Sequence, residues 1–293
     1  MKQYKNLIWS GGLGMVFAMM ACSHDSEIQT DLFDRDEMTF EVHHPSQTSH
    51  SRVTDTAFED NDRVGLFVVT KNQPLEVSGN YVNNASLTYS NNEWTSAKPI
   101  YWNKGSYDVY AYFPYENSVA SVDDMEFSVS LDQSVAANYV ASDFLWAGKK
   151  NVTAGNGDIS LQFTHRMSRL VIQLVKGEDY EGELPDEAEV FVHNTVPSAT
   201  VDLNVGIVTP DKYGSAKTIR AKSLGSNKYT AIVVPQRLNN RQPLVEVIMK
   251  GVSYLYESKF LFKQGMQHNV QLMVTKNPEQ VKIEIGGEIE TWN

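Results

Sequence analysis

"YDVYAYFPY", residues 107–115, decides the fold class. Tyr107, Val109, Ala111 and Phe113 fall on one side of an extended chain, and Pro114 ends the run. A period of two suits a pleated strand, whose successive side chains point to opposite faces. The same writing recurs on both sides of this stretch. "VGLFVV" at 64–69 is a short apolar run of the kind buried in a sheet. "EFSVSL" at 126–131 sets Phe127, Val129 and Leu131 against Ser128 and Ser130, and "ISLQF" sets Ile159, Leu161 and Phe163 against Ser160 and Gln162. "RLVIQLV", "EVFVH", "YTAIVVP", "LVEVIM", "NVQLMV" and "VKIEI" continue the style, separated by turn clusters such as "SNNE", "NKGS", "AGNGD" and "SLGSNK". About a dozen short alternating runs bounded by turns predict antiparallel strands in β-sandwiches. No window of about 12 residues carries the apolar stripe of an amphipathic helix.

The 293 residues include one cysteine, Cys22. Lys2 and Lys5 precede an apolar run over 7–21 that contains three glycines. That run is shorter than the roughly 20 residues of a membrane span and has the size of a signal-peptide core. It resembles a bacterial lipoprotein signal, with Met19 where Leu is usual. Cleavage after Ala21 would leave Cys22 as an acylated N-terminus, a palmitate-type anchor in the outer membrane. The remaining chain would hold no cysteine and gain its stability from its core. Losing Lys2 and Lys5 takes the formal charge from -11 to -13. That balance argues against nucleic acid or an anionic membrane surface as partner. Residues 22–36 are polar and acidic and read as a tether.

The expected architecture is all-β: two tandem β-sandwich domains of Greek-key, transthyretin- or Ig-like type. The first spans 37–165 and the second 166–293, because "LQFTHRMSRLVIQLVKG" changes apolar phase around residues 165–169.

A search for reactive chemistry returns little. There is no G-x-S-x-G elbow, P-loop or G-x-G-x-x-G. His43, His44 and His50 lie in a Ser/Thr-rich stretch that reads as a solvated loop, and their spacing is not that of a metal site. "FEDNDRVG" at 58–65 clusters three acids without the spacing of a calcium loop and reads as an acidic turn. His165, beside Arg166, reads as structural. Trp94, Trp102, Trp146 and Trp292 read as core or edge residues rather than a sugar platform. No catalytic group, metal or cofactor is expected.

Several ordered stretches resemble the fimbrillin family of surface fimbriae: "FEDNDRVGLFVV" (58–69), "NNEWTSAKPIYWNKGSYDVYAYFPY" (91–115), "SDFLWAG" (142–148), "LQFTHRMSRLVIQL" (161–174) and "TAIVVPQ" (230–236). The resemblance implies a lipoprotein subunit that is cut by an arginine-specific protease after its first strand. The groove so opened takes the C-terminal segment of another subunit. An added strand satisfies the free N–H and C=O groups of an edge, and a head-to-tail contact that does not close makes a filament. On this sequence the removable strand is "MTFEV", with Met38, Phe40 and Val42 facing one way. The cut falls after Arg52, since a cut at Arg35 would leave the strand in place. The donor is "VKIEIGGEIETW", with Val281, Ile283, Ile285, Ile289 and Trp292 as its apolar residues. Expected partners are other fimbrial subunits, the outer membrane through the lipid, and a host or bacterial surface receptor. The alternative is a monomeric, lipid-anchored surface lectin on the same fold.

Overall fold

Alternation is realised as strand after strand. The computed structural model describes residues 36–45, 57–185, 187–276, 283–284 and 289–292. In the first half these are β1 (Phe40–His43), β2 (Arg63–Thr70), β3 (Val82–Ser90), β4 (Glu93–Ser96), β5 (Ser106–Phe113) and β6 (Met125–Ser128). A six-residue helix α1 (Ala136–Ala141) precedes β7 (Leu145–Thr153), β8 (Ile159–Gln162) and β9 (Thr164–His165). The second half holds β10 (Ser168–Lys176), β11 (Glu189–Thr195), β12 (Ser198–Asp202), β13 (Ile207–Pro210), β14 (Lys217–Arg220) and β15 (Lys222–Gly225). It continues through β16 (Lys228–Val233), β17 (Arg237–Met249), β18 (Val252–Leu261), β19 (Met266–Val274), β20 (Ile283–Glu284) and β21 (Ile289–Thr291).

Turn chemistry fixes several registers. Ser90 pairs with Glu93 across Asn91-Asn92, whose φ values are 52° and 65°. Gly225 pairs with Lys228 across Ser226-Asn227, and Met249 with Val252 across Lys250-Gly251, again with both central residues at positive φ. Two left-handed residues match the twist of a tight hairpin, and Asn and Gly adopt that conformation at low cost.

The first half is built on a six-stranded sheet in the order β4-β3-β2-β5-β7-β9. Tyr107, Val109, Ala111 and Phe113 share one face and join Val64, Leu66 and Val68 in a buried cluster. That face is covered by a second sheet of two strands, β1 and β8, which contributes Val42, Ile159 and Leu161, and by Met38 just before β1. The opposite face is buried as well. Phe67, Val69, Tyr110 and Tyr112 pack into a second cluster shared with Val119, Val122, Met125, Val129 and the second half of the chain. Burying a large apolar side chain contributes about 1.5–3 kcal/mol, so both faces of β2 and β5 hold the molecule together.

The second half pairs a sheet of order β15-β16-β10-β19, with β20 and β21 on the free edge of β19, with a four-stranded sheet β14-β11-β17-β18. A three-stranded sheet β13-β12-β6 joins the halves, because β6 hydrogen-bonds to β12. The expected antiparallel pairing holds widely but not throughout: β1 runs parallel to β8, and β10 parallel to β19. In "EFSVSL" the expected phase holds at Phe127 and Val129, which pack inward, but the bounds of the strand differ. The strand begins at Met125, which is buried, and Leu131 lies beyond it with 44% of its surface exposed.

Candidate functional site

The first strand is held from two sides and capped by its own side chains. Met38 and Val42 are 3% and 8% exposed, and Phe40 is half-buried, so the alternation of this stretch faces the first core. Ile159 N–H donates to the Thr39 carbonyl at 2.8 Å, and Phe163 N–H to the His43 carbonyl at 3.0 Å. On the other side, among the described residues, the segment just before the strand is tied: Met38 N–H donates to the Ile100 carbonyl at 2.6 Å and Trp102 N–H to the Asp36 carbonyl at 2.8 Å. The Thr39 hydroxyl donates to the Asp158 carboxylate.

Two strands cannot cover the face of a six-stranded sheet. A groove of about 810 Å3 therefore runs along β1, with Leu87, Tyr89, Trp94 and Ile100 among its walls and Glu93 and Asp158 on its rim. Sequence reasoning selected Met38, Phe40 and Val42. It did not single out Asp158, because one acid among many carries no periodic signal.

His43 and His44 depart from the reading as solvated loop residues. His43 ends β1 and is half-buried. His44 is 6% exposed, packing edge-to-face on Phe58 with ring centres 5.1 Å apart and on His165 at 5.8 Å. His50 lies outside the described residues, as do Cys22, Arg52, Val281 and Ile285. The structural role expected of His165 is visible in its contacts. It is buried, its Nδ1 lies 2.8 Å from an Asp143 carboxylate oxygen, and its ring stacks on Trp292 with centres 3.8 Å apart.

Trp292 is 6% exposed, and its backbone N–H donates to the Gly265 carbonyl at 3.0 Å. The Arg169 guanidinium lies 5.8 Å from its ring centre. β20 and β21, which contain Ile283 and Ile289, pair antiparallel with β19 of the same chain: Ile283 with Leu272, and Ile289 with His268. His268 itself is buried. Its Nε2 accepts the Lys263 backbone N–H at 3.1 Å, and burial pushes its pKa down to about 4. β20 and β21 thus have a place on the β19 edge of their own chain.

The acidic turn at 58–65 folds as a turn. Glu59 N–H donates to the Asp62 carboxylate at 2.8 Å, Asn61 takes φ 78°, and partial burial raises the Asp62 pKa. Among the described residues no group of three or more His, Cys, Asp or Glu is arranged to hold a metal. Trp94 and Trp102 pack in or against the first cluster, and Trp146 against the second, where its Nε1–H donates to the Leu203 carbonyl at 2.8 Å.

Comparison with known proteins follows the same outline. Over 227 residues, 68% of this chain, the sequence is 27% identical to the "Putative fimbrium tip subunit Fim1C" of Bacteroides ovatus; the chain spans 41% of the length of that relative. The fold matches the crystal structure of a "putative cell adhesion protein" from Bacteroides uniformis at a TM-score of 0.68 and 20% identity, covering 88% of this chain and 98% of that one. A second such protein, from Bacteroides ovatus, matches with the same TM-score and coverage at 16% identity. Residues 51–292 match the family described as fimbrillin-like, nearly the whole of the described part, and the chain belongs to that family.

Proposed function

We propose that this chain is a non-enzymatic subunit of a surface fimbrium that joins its neighbours by strand exchange and supports cell adhesion. In this reading Cys22 carries the lipid that delivers it to the outer membrane. A cut after Arg52 frees the chain from that lipid and from its first strand. The observation that carries the reading is the state of β1: four residues long, tied along one edge to β8, plugging the first core beside an open groove. Its loss would bare the apolar side chains beneath it and leave the Ile159 and Phe163 N–H groups without acceptors. A replacement strand would restore both. Family membership and the name given to the Bacteroides ovatus relative support a fimbrial setting.

The donor end has a cost to meet. To reach a neighbour, β20 and β21 leave β19 and Trp292 leaves its seat on His165. That seat favours a second reading, a monomeric, lipid-anchored surface lectin that keeps its C-terminus at home. Residues 23–293, treated with an arginine-specific protease and run unboiled on a denaturing gel, separate the two. A ladder that disappears on truncation at Asn277 is expected. Cut protein that stays monomeric at high concentration would overturn the exchange reading.

A further inference from the structure

A second cavity, of about 330 Å3, shares no lining residue with the groove along β1 and lies on the seam between the two buried clusters. Phe58 and Phe113 wall it from the first cluster, and Tyr139 of α1 and Trp292 from the second. Its size is at the lower end of the range for small-molecule sites, which favour such junctions. The walls are set before any ligand arrives. The Phe58 ring packs edge-to-face on Trp94, Phe113 and Phe163, with centres 4.9, 5.7 and 5.9 Å away, and Trp292 is stacked on His165. Rings already held in place need little further ordering on binding.

Charge then selects the ligand. Among the described lining residues the carboxylates are Glu59, Asp62 and Asp143, and there is no Lys or Arg. Asp143 is held by His165, whose Nδ1 lies 2.8 and 3.0 Å from its two oxygens. Asp62 and Glu59 differ: among the described residues no Lys, Arg or His comes within ion-pair distance of either. Burial works against the charge of Asp62 and the Glu59 carboxylate adds to this, while the Glu59 backbone N–H, 2.8 Å from Oδ2, works for it. The chain's own cations already use two of the rings from outside the cavity lining. Lys222 Nζ lies 4.5 Å from the Tyr139 ring centre and the Arg169 guanidinium 5.8 Å from that of Trp292, whereas Phe58 and Phe113 carry no cation among the described residues. We propose that this cavity binds a small organic cation, a protonated amine on an apolar stem, with the stem against Phe58, Phe113 and Trp292 and the ammonium at the Asp62 and Glu59 carboxylates. Such a ligand gives Asp62 a charge-assisted hydrogen bond and sets a cation among aromatic rings, which attract it. The site belongs to the uncut chain and goes beyond the strand-exchange reading: amine binding and polymerisation are measured separately, and either can fail alone.

The test is isothermal titration calorimetry of the uncut chain, residues 23–293, with pentylamine as probe and pentanol as its neutral counterpart. Pentylamine is expected to bind with a Kd of about 1 mM or tighter, within the efficiency of small ligands, and pentanol about 10-fold more weakly. Asp62→Asn keeps an oxygen for the Glu59 N–H; it should weaken pentylamine about 10-fold and leave pentanol unchanged. Val140→Trp fills the cavity from a position on α1 that is 42% exposed, and should abolish binding of both. An unchanged melting temperature shows that each variant is folded. Nα-acetyl-lysine methylamide and cadaverine separate the sources of such a cation: binding of the blocked lysine points to a protein side chain, binding of cadaverine alone to a free amine, and either upholds the site. Pentanol that binds as tightly as pentylamine, or pentylamine binding that ignores Asp62→Asn and Val140→Trp, overturns the proposal. So does a neutral hexose that binds where pentylamine does not, and so does the absence of any amine binding.

Discussion

Truncating Met38 and Val42 to alanine in a chain cut at Arg52 measures how tightly the first strand is held. After the cut, the described residues 36–45 would be held through noncovalent contacts alone. Met38 is buried against the first cluster, and removing most of its side chain costs about 3 kcal/mol, as buried Met→Ala changes do. Val42, buried on the same face, is worth about 2 kcal/mol. The two sit four residues apart in an extended segment, about 13 Å, far enough for their effects to add. The sum, about 5 kcal/mol, is a drop of roughly three to four powers of ten in the fragment's affinity. Glu41, exposed between them, is the control: Glu41→Ala should change affinity less than threefold. Size-exclusion chromatography of the cut chain, with mass spectrometry of each peak, reads the outcome. The parent should co-elute with its fragment, and the double variant should shed it. A double variant that keeps the fragment as firmly as the parent would refute the claim that core-facing side chains hold β1 in place.

Trp292→Ala should lower the melting temperature, since emptying a buried indole site costs about 3–5 kcal/mol, and hydrogen exchange should show residues 289–292 losing protection; unchanged protection would mean that the stack on His165 does not hold the C-terminus. His268 is neutral in the folded chain, with its pKa pushed down to about 4, while the unfolded value is that of free histidine. Its stabilising contribution is therefore present above about pH 6.5 and lost as pH falls toward 4, by up to about 3 kcal/mol; urea titrations across this range should show His268→Gln lacking that part of the slope. Gly65→Ala places a methyl group 2.1 Å from the Tyr112 ring, which is buried and whose hydroxyl is bonded to Asn84 at 2.7 Å. Overpacking of this kind costs about 1–3 kcal/mol, and a denaturation midpoint equal to the parent's would show that Tyr112 can move aside.

What could be read from the chain and what could not divides along a physical line. Strands announced themselves wherever one face alone was apolar, as in "ISLQF" and "MTFEV", because a period of two is visible without knowing the partner. β5 carried a further message, since Tyr110 and Tyr112, on the face opposite Val109 and Ala111, are also apolar in bulk. Its second face is buried by residues 119–144 crossing from beyond the sheet, and no local pattern encodes which distant segment does the covering. Helix α1 is shorter than two turns, too short for a 3.6-residue stripe to form. The parallel pairing of β1 with β8 joins residues more than a hundred positions apart, and alternation is blind to strand direction. A strand that enters from far away, runs parallel to a four-residue neighbour and leaves most of its other edge to a groove adds little beyond its own side chains. Its hold on the sheet therefore rests on Met38 and Val42, the side chains it turns into the first core.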